Sequence, residues 1–215
     1  MKLSVVIPCL NGAATIGEAL DGLAAQSWDG DWEIVVADNG SNDATAEVLE
    51  SYRETLPNLR VVDASARRGQ SFAMNIGAEL AQGEWLAFCD ADDIVGEGWL
   101  PAGARELARH ELIAYAQDEA RLNPPWLQES RERIFSVTLP TTWFPPYAPF
   151  SGAGCMAMHR SVFETELRYS SRAEVESLLQ QHGLRVTHVY GDYDLSPVSE
   201  ATDNLIFVAR AELSP

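Results

Sequence analysis

The sequence predicts an α/β fold, a mostly parallel sheet flanked by helices, and three observations predict it. Strand-type and helix-type apolar patterns alternate over the first 95 residues. The strand runs are short and continuously apolar, as expected of strands covered on both faces. Several of them end in polar or turn-forming residues, as parallel strands do where they open onto a ligand crevice. At 215 residues the chain suits one domain or one and a fraction, on a prior of roughly 100–200 residues each.

Leu3–Pro8 is the first apolar run, and Ala13, Ile16, Leu20 and Leu23 recur behind it at helical spacing. Trp32–Ala37 is the second strand, ending in Asp38-Asn39-Gly40-Ser41. Val48, Leu49, Tyr52 and Leu56 mark the second helix, with Ser41 expected to cap it and Asp43 to sit in its first turn. Leu59–Val62 is a third strand; Phe72, Ile76 and Leu80 trace a third helix, expected to stop at Gly83. Glu84–Cys89 is a fourth strand running into Asp90-Ala91-Asp92-Asp93, with Trp85 and Phe88 expected in the core. Alternation at this pitch argues for parallel strands joined by crossover helices.

Beyond Asp93 the pattern loosens. Leu100–Leu107 reads as helix, Leu112–Ala116 as strand and Trp126–Phe135 as helix. The stretch from Leu139 to Phe150 holds four prolines, which forbid regular structure across most of it. Ser151–Met158 reads as a small-residue strand. A separate unit begins near Tyr169: Ser171-Arg172-Ala173-Glu174 is a capping box, Val175, Leu178 and Leu179 share a helix face, and Gly183 stands at the expected C-cap. Leu184–Tyr190 and Leu205–Ala209 are strands joined by an acidic loop, a helix-plus-hairpin appendage.

Composition narrows the function. With 32 acidic against 15 basic residues, the net charge is −17, which disfavours nucleic acid as a partner. An anionic ligand then needs a metal cation or a few placed bases. No apolar run approaches the ~18 residues of a membrane span, so none is expected. The first strand begins almost at the first residue, so no secretory signal is expected before it, and a cytoplasmic setting is expected. Cys9, Cys89 and Cys155 are far apart and read as reduced, buried thiols.

Three strand ends deliver chemistry to one edge: Pro8-Cys9-Leu10-Asn11-Gly12, Asp38 and Asp90. Carboxylates two apart near a strand end can share one hard cation, which prefers oxygen ligands and bridges phosphate oxygens. The bland reading of Asp90, Asp92 and Asp93 is solvent-facing acids capping the next helix. Asp38 can accept from the imide N–H of a uracil-like base, whereas a plain turn with an N-cap explains Gly40 and Ser41 equally well. Arg67 and Arg68 stand where a guanidinium reaches a phosphate or stacks on a base, or else face solvent in a turn. Trp143, Phe144, Tyr147 and Phe150 form an acceptor platform for a sugar, or pack on the sheet or against a second subunit of a homodimer.

Together these residues resemble the family 2 glycosyltransferases of the GT-A fold. The resemblance rests on Val5 to Gly12, Val35 to Asp43, Arg68 to Ala78 and Gly83 to Asp93, in order and at matching spacing. A weaker match runs from Ser151 to Glu164. It implies a transferase domain over residues 1–164, with a nucleotide-binding half at 1–95 and an acceptor-side part at 96–164. By that resemblance Pro8, Cys9, Asn11, Asp38, Asn39, Arg68, Asp90 and Ala91 line a nucleotide-sugar site. Asp90 and Asp92 hold Mg or Mn, and the donor is a nucleotide-diphosphate sugar, UDP-type favoured. The acceptor is a hydroxyl of a glycan, lipid or small molecule.

This chain departs from the family in three places. Gly12 stands where many members carry a glutamate, and Asn39 takes the second position of a usual acidic pair. The segment supplying the family's catalytic base is not recognisable after residue 164, where Asp192 and Asp194 are the acids to nominate but read more simply as a surface hairpin turn. Residues 168–211 within a 165–215 tail instead resemble the last helix, strand and terminal hairpin of a class I methyltransferase, without that family's glycine-rich cofactor loop. A nucleotide-sugar-binding or scaffold protein without turnover is therefore the second reading.

Overall fold

The computed structural model describes residues 2–115, 156–163, 176, 177, 180, 184–191, 196, 197 and 205–211. A six-stranded sheet runs in the order β3-β2-β1-β4-β6-β5. Its strands are β1 (Lys2–Cys9), β2 (Asp31–Asp38), β3 (Leu59–Asp63), β4 (Trp85–Phe88), β5 (Leu112–Ala114) and β6 (Met156–His159). The pairs β1–β2, β1–β4 and β2–β3 are parallel, while β6 lies antiparallel to both β4 and β5. The chain therefore builds outward from β1 through β2 to β3, then returns to lay β4 on the other side of β1. That reversal between β1 and β4 is a topological switch point, where an open parallel sheet leaves a crevice at its carboxyl edge.

Strand alternation splits the core in two. Leu3, Val5, Ile7 and Cys9 face one side, where they meet Ile16, Leu20 and Leu23 of α1 (Ile16–Ala24) and Leu49 of α2 (Thr45–Ser51). Leu100 and Leu107 of α4 (Trp99–Leu107) join the same cluster. Val6, Val35 and Ala37 face the other side, against Ala73, Met74 and Ala78 of α3 (Gln70–Leu80). Full burial of each large aliphatic side chain contributes about 1.5–3 kcal/mol.

Five expectations need correction. The face of α3 on the sheet is Ala73, Met74, Gly77 and Ala78; Phe72 and Ile76 are half-buried and Leu80 is exposed. A Cβ on Gly77 would stand 2.5 Å from Val6 Cγ1, so α3 approaches closely enough that small residues carry the contact. That helix ends at Leu80, and Gly83 serves instead to let its backbone pass Ser4, whose N a Cβ would meet at 2.7 Å. The second helix starts at Thr45, whose N–H donates to Asp43 Oδ1 at 3.1 Å from just before the helix, while Ser41 is committed to Asp38. It also stops at Ser51, although Leu56 beyond it remains buried. Phe88 is in the core as expected, whereas Trp85 is half-buried and stands edge-on to His159.

Polar groups pin the amino-terminal edge of the sheet. Ser4 and Glu33 are register partners on β1 and β2, and Ser4 Oγ donates to Glu33 Oε1 at 2.7 Å. Arg60 Nη1 and the Gln82 backbone N–H also donate to that carboxylate, at 2.6 and 2.5 Å. Arg160, at the start of the short helix α5 (Arg160–Val162), donates to the carbonyls of Ala78, Ala81 and Gly83. It thereby satisfies the orphan carbonyls at the end of α3.

In the C-terminal part, β7 (Leu184–Gly191) and β9 (Leu205–Ala211) pair antiparallel, as the two expected strands should. Within the connection expected as an acidic loop, β8 (Ser196–Pro197) adds a third strand on β7. Among the described residues no helix is long and apolar enough to cross a membrane. Cys9 and Cys89 are buried thiols. Cys155, the helix expected at Trp126–Phe135, the proline-rich aromatic stretch, the capping box, and Asp192 and Asp194 lie outside the described residues.

Candidate nucleotide-sugar and metal site

The register places Cys9, Asp38 and Asp63 side by side at the carboxyl ends of β1, β2 and β3. Beyond Cys9 the chain turns at Asn11, whose φ of 53° lies in the left-handed region that asparagine tolerates better than most residues. Two bonds tie this turn to the next strand end. The Asn11 backbone N–H donates to Ser41 Oγ at 2.9 Å, and Asn11 Oδ1 accepts from the Asn42 backbone N–H at 2.9 Å. The Ala13 N–H donates to Asp43 Oδ2 at 3.1 Å, and the Asn39 N–H to the Cys9 carbonyl at 2.8 Å. Both loops thus form one rim over the first crevice wall.

Gly12 has a specific reason to be glycine. A Cβ there would lie 2.6 Å from Cys9 Sγ and 3.8 Å from Ala91 Cβ. The position that carries glutamate in many family members has no room for a side chain above this cysteine. Burial, helped by the negative charge of Asp38 and Asp43, pushes the Cys9 thiol up to about 11 against a backbone bond at Gly12 that lowers it. Cys9 is therefore an uncharged packing group at neutral pH. Pro8 is likewise buried, so both residues offer this site shape and backbone.

At the end of β2 the two polar neighbours do different things. Asp38 is half-buried, and its Oδ1 accepts from the Ser41 backbone N–H at 2.9 Å and from Ser41 Oγ at 2.6 Å. Its Oδ2 has no hydrogen-bond partner among the described residues and remains an available acceptor. Asn39 is 3% exposed and every polar group of its side chain is engaged. Its Nδ2 donates to the carbonyls of Ala64 and Arg67 at 2.5 and 2.7 Å, and its Oδ1 accepts from the Gly69 N–H at 2.8 Å. An aspartate there would set a second oxygen against two carbonyls, which explains the amide in place of an acid. Arg67 and Arg68 are both exposed in the loop that Asn39 holds.

At the end of β4, Asp90, Ala91 and Asp93 are half-buried and Asp92 is exposed. Burial first, and then the charge of Asp92, raise the Asp90 carboxyl, while a bond from Gln70 lowers it. Asp93 is pushed up to about 6 by burial, then by the charges of Asp90 and Asp92. No ion pair to any of the three forms among the described residues. This is a partly desolvated cluster of like charges without a counter-charge, which a hard divalent cation relieves. Among the described residues no three acidic, histidine or cysteine side chains converge as a ready-made metal cage. The donor set suits Mg-type binding instead, in which one or two carboxylates share the ion with water and substrate phosphates.

Sequence reasoning missed Gln70, the first residue of α3, whose Nε2 donates to Asp90 Oδ1 at 2.9 Å. Its only sequence signal is its place after Gly69 at a helix start. The structure links Asn11 to Asp38 through Ser41, ties the Asn39 N–H to the Cys9 carbonyl, and joins Asp90 to the start of α3 through Gln70.

Known proteins resemble this chain in sequence and in fold. The profile of Glycosyl transferase family 2 matches residues 4–167. The uncharacterized glycosyltransferase YibD of Escherichia coli strain K12 is 38% identical over 94 residues, covering 44% of this chain and 27% of that protein. The PGL/p-HBAD biosynthesis glycosyltransferase of Mycobacterium bovis (strain BCG / Pasteur 1173P2) is also 38% identical over 94 residues, 44% of this chain and 36% of that one. The crystal structure of S. aureus TarS 1-349 in complex with UDP superposes with a TM-score of 0.63 at 25% identity, covering 80% of this chain and 50% of the other. This chain therefore spans about a third or less of those two relatives and half of that structure. With the profile matching most of its length, a GT-A sheet and polar groups gathered at the switch point, the chain belongs to glycosyl transferase family 2.

Proposed function

We propose that this chain is the donor-binding part of a glycosyltransferase that moves a sugar from a nucleotide diphosphate to an acceptor hydroxyl. The observation that carries the reading is the convergence of the β1, β2 and β4 ends at one switch point, one of them an acid cluster without a counter-charge among the described residues. Asp38 Oδ2 accepts from the imide N–H of a uracil-type base, and Asn11 holds the rim above it. One of Arg67 and Arg68 faces the base or its phosphates. Pro8, Cys9, Asn39 and Ala91 shape the pocket. UDP in the TarS complex supports a UDP-type donor.

Asp90 and Asp92 would hold Mg or Mn. Such an ion, when bound, supplies charge neutralisation for the diphosphate leaving group. The protein's own contribution is positional: the strand ends orient base and diphosphate so that the anomeric carbon faces the acceptor side. A base that removes the acceptor proton belongs to the acceptor-side part at 96–164 or to residues C-terminal to it. That the transferase part closes near residue 164 is supported by the family match ending at 167 and by the separate antiparallel sheet of β7, β8 and β9.

The test is release of the nucleoside diphosphate from UDP-glucose, UDP-N-acetylglucosamine and GDP-mannose, with Mn2+ or Mg2+, across glycan, lipid and small-molecule acceptors. Metal-dependent release from one donor is the expected result. Saturable UDP binding without release in any combination would favour a nucleotide-sugar-binding protein instead.

A further inference from the structure

Resting on that reading of the site, the geometry points to a strap, residues 64–70, that ties the base end of the crevice to its metal end. We infer that Asn39 and Gln70 are the positioning residues at its two pins. The Ala64 N–H donates to the Asp38 carbonyl at 2.8 Å, and Asn39 then holds both the Ala64 and the Arg67 carbonyls and the Gly69 N–H. Every hydrogen-bonding group of one buried amide is thereby spent on one loop, the arrangement that fixes a loop best. Gly69 has a φ of 129° and no neighbour within 4 Å of a would-be Cβ, so glycine is required there by conformation and not by space. That turn launches α3, whose first side chain reaches Asp90.

The consequence is mechanical coupling. The loop that carries Arg68 cannot move without loosening Gly69, and Gly69 sets where Gln70 meets Asp90. Asn39 acts through the loop, and Gln70 acts through Asp90 by holding Oδ1 and leaving Oδ2 for an ion. Recognition of the base and occupancy of the metal position then reinforce each other.

The experiment is calorimetric titration of UDP, with GDP in parallel, with and without Mn2+, into wild type, Asn39→Asp, Gln70→Ala and the double variant, each with its melting temperature. Asn39→Asp is expected to weaken nucleotide binding about tenfold in both conditions, the scale of a buried polar group left mispaired. Gln70 is exposed, so Gln70→Ala is expected to leave melting and metal-free binding unchanged while removing about three- to tenfold of the Mn2+-dependent gain. In the double variant the losses should not multiply, because both pins hold one element. A Gln70→Ala protein with the full Mn2+-dependent gain would overturn the strap, as would losses that multiply. If Asn39→Asp does not fold, the Gln70→Ala result alone decides. Absence of saturable UDP or GDP binding to the wild type would overturn the underlying nucleotide reading instead.

Discussion

Two carboxylate sites on the same sheet have opposite environments. Glu33, near the amino-terminal edge, is 6% exposed, and burial alone would raise its carboxyl. Donors from Ser4, Arg60 and the Gln82 N–H outweigh that, so it sits below its ordinary value. Asp90 and Asp93, at the carboxyl edge, are both raised, by burial first and then by neighbouring acid charge, and among the described residues only Gln70 donates a side-chain bond to the pair. The protein thus completes one buried acid with its own groups and leaves the other cluster incomplete. An acid finished by the fold contributes stability, whereas an acid left unfinished stores a demand for a cation or ligand.

The largest expected effect tests the unfinished cluster. Asp90→Asn should lower metal-dependent transfer by at least about 100-fold, the scale of losing a charge-stabilising group, while the metal-free melting temperature does not fall. A stability loss with activity retained would reverse the contrast. Next comes the finished site: Glu33→Ala should destabilise the fold by about 1–3 kcal/mol in urea denaturation, since the Ser4 hydroxyl and the Gln82 N–H lose their acceptor while the half-exposed Arg60 turns to water. Nucleotide affinity of the folded protein should not change. The wall behind both sites is probed by Gly77→Ala, expected to cost about 1–3 kcal/mol because the new methyl meets Val6.

The smallest effect is on pH. Asp93 is raised from 3.8 to about 6, so its contribution to the metal-free fold is full below its unfolded value and is lost as pH rises through about 6. Melting of the metal-free protein should therefore rise modestly from pH 7.5 to pH 5, and Asp93→Asn should flatten that slope. Glu33, lowered, contributes stability present above its unfolded value and lost only as pH falls through its lower folded value. Substituting Glu33 should leave the slope between pH 5 and 7.5 as it is.

The sheet and the position of its polar ends were legible because buried parallel strands write themselves as continuous apolar runs with abrupt polar stops. Leu3–Pro8 and Trp32–Ala37 each fall one residue short of β1 and β2 at either end. What was not legible depends on partners far away in the chain. Large apolar residues drew the reading of α3 to Phe72, Ile76 and Leu80, whereas distance to Val6 selects Ala73, Gly77 and Ala78. Ser41 has the composition of a cap, but Asp38 and Asn11 claim it. The reasons for Gly12 and Asn39 exist only once Cys9 and the loop at 64–69 stand beside them. Periodicity reads local structure well and is silent on which side chains the fold will use up.

Whether the β4 acids hold the ion beside the diphosphate is decided by the affinity of UDP and GDP for wild type and Asp92→Asn as Mn2+ is titrated. Mn2+ is expected to tighten binding of one nucleotide to the wild type, and Asp92→Asn to remove this gain while metal-free affinity and folding persist. Equal tightening by Mn2+ in both proteins would contradict this, since the acid cluster at the end of β4 would then not be where the ion and diphosphate meet.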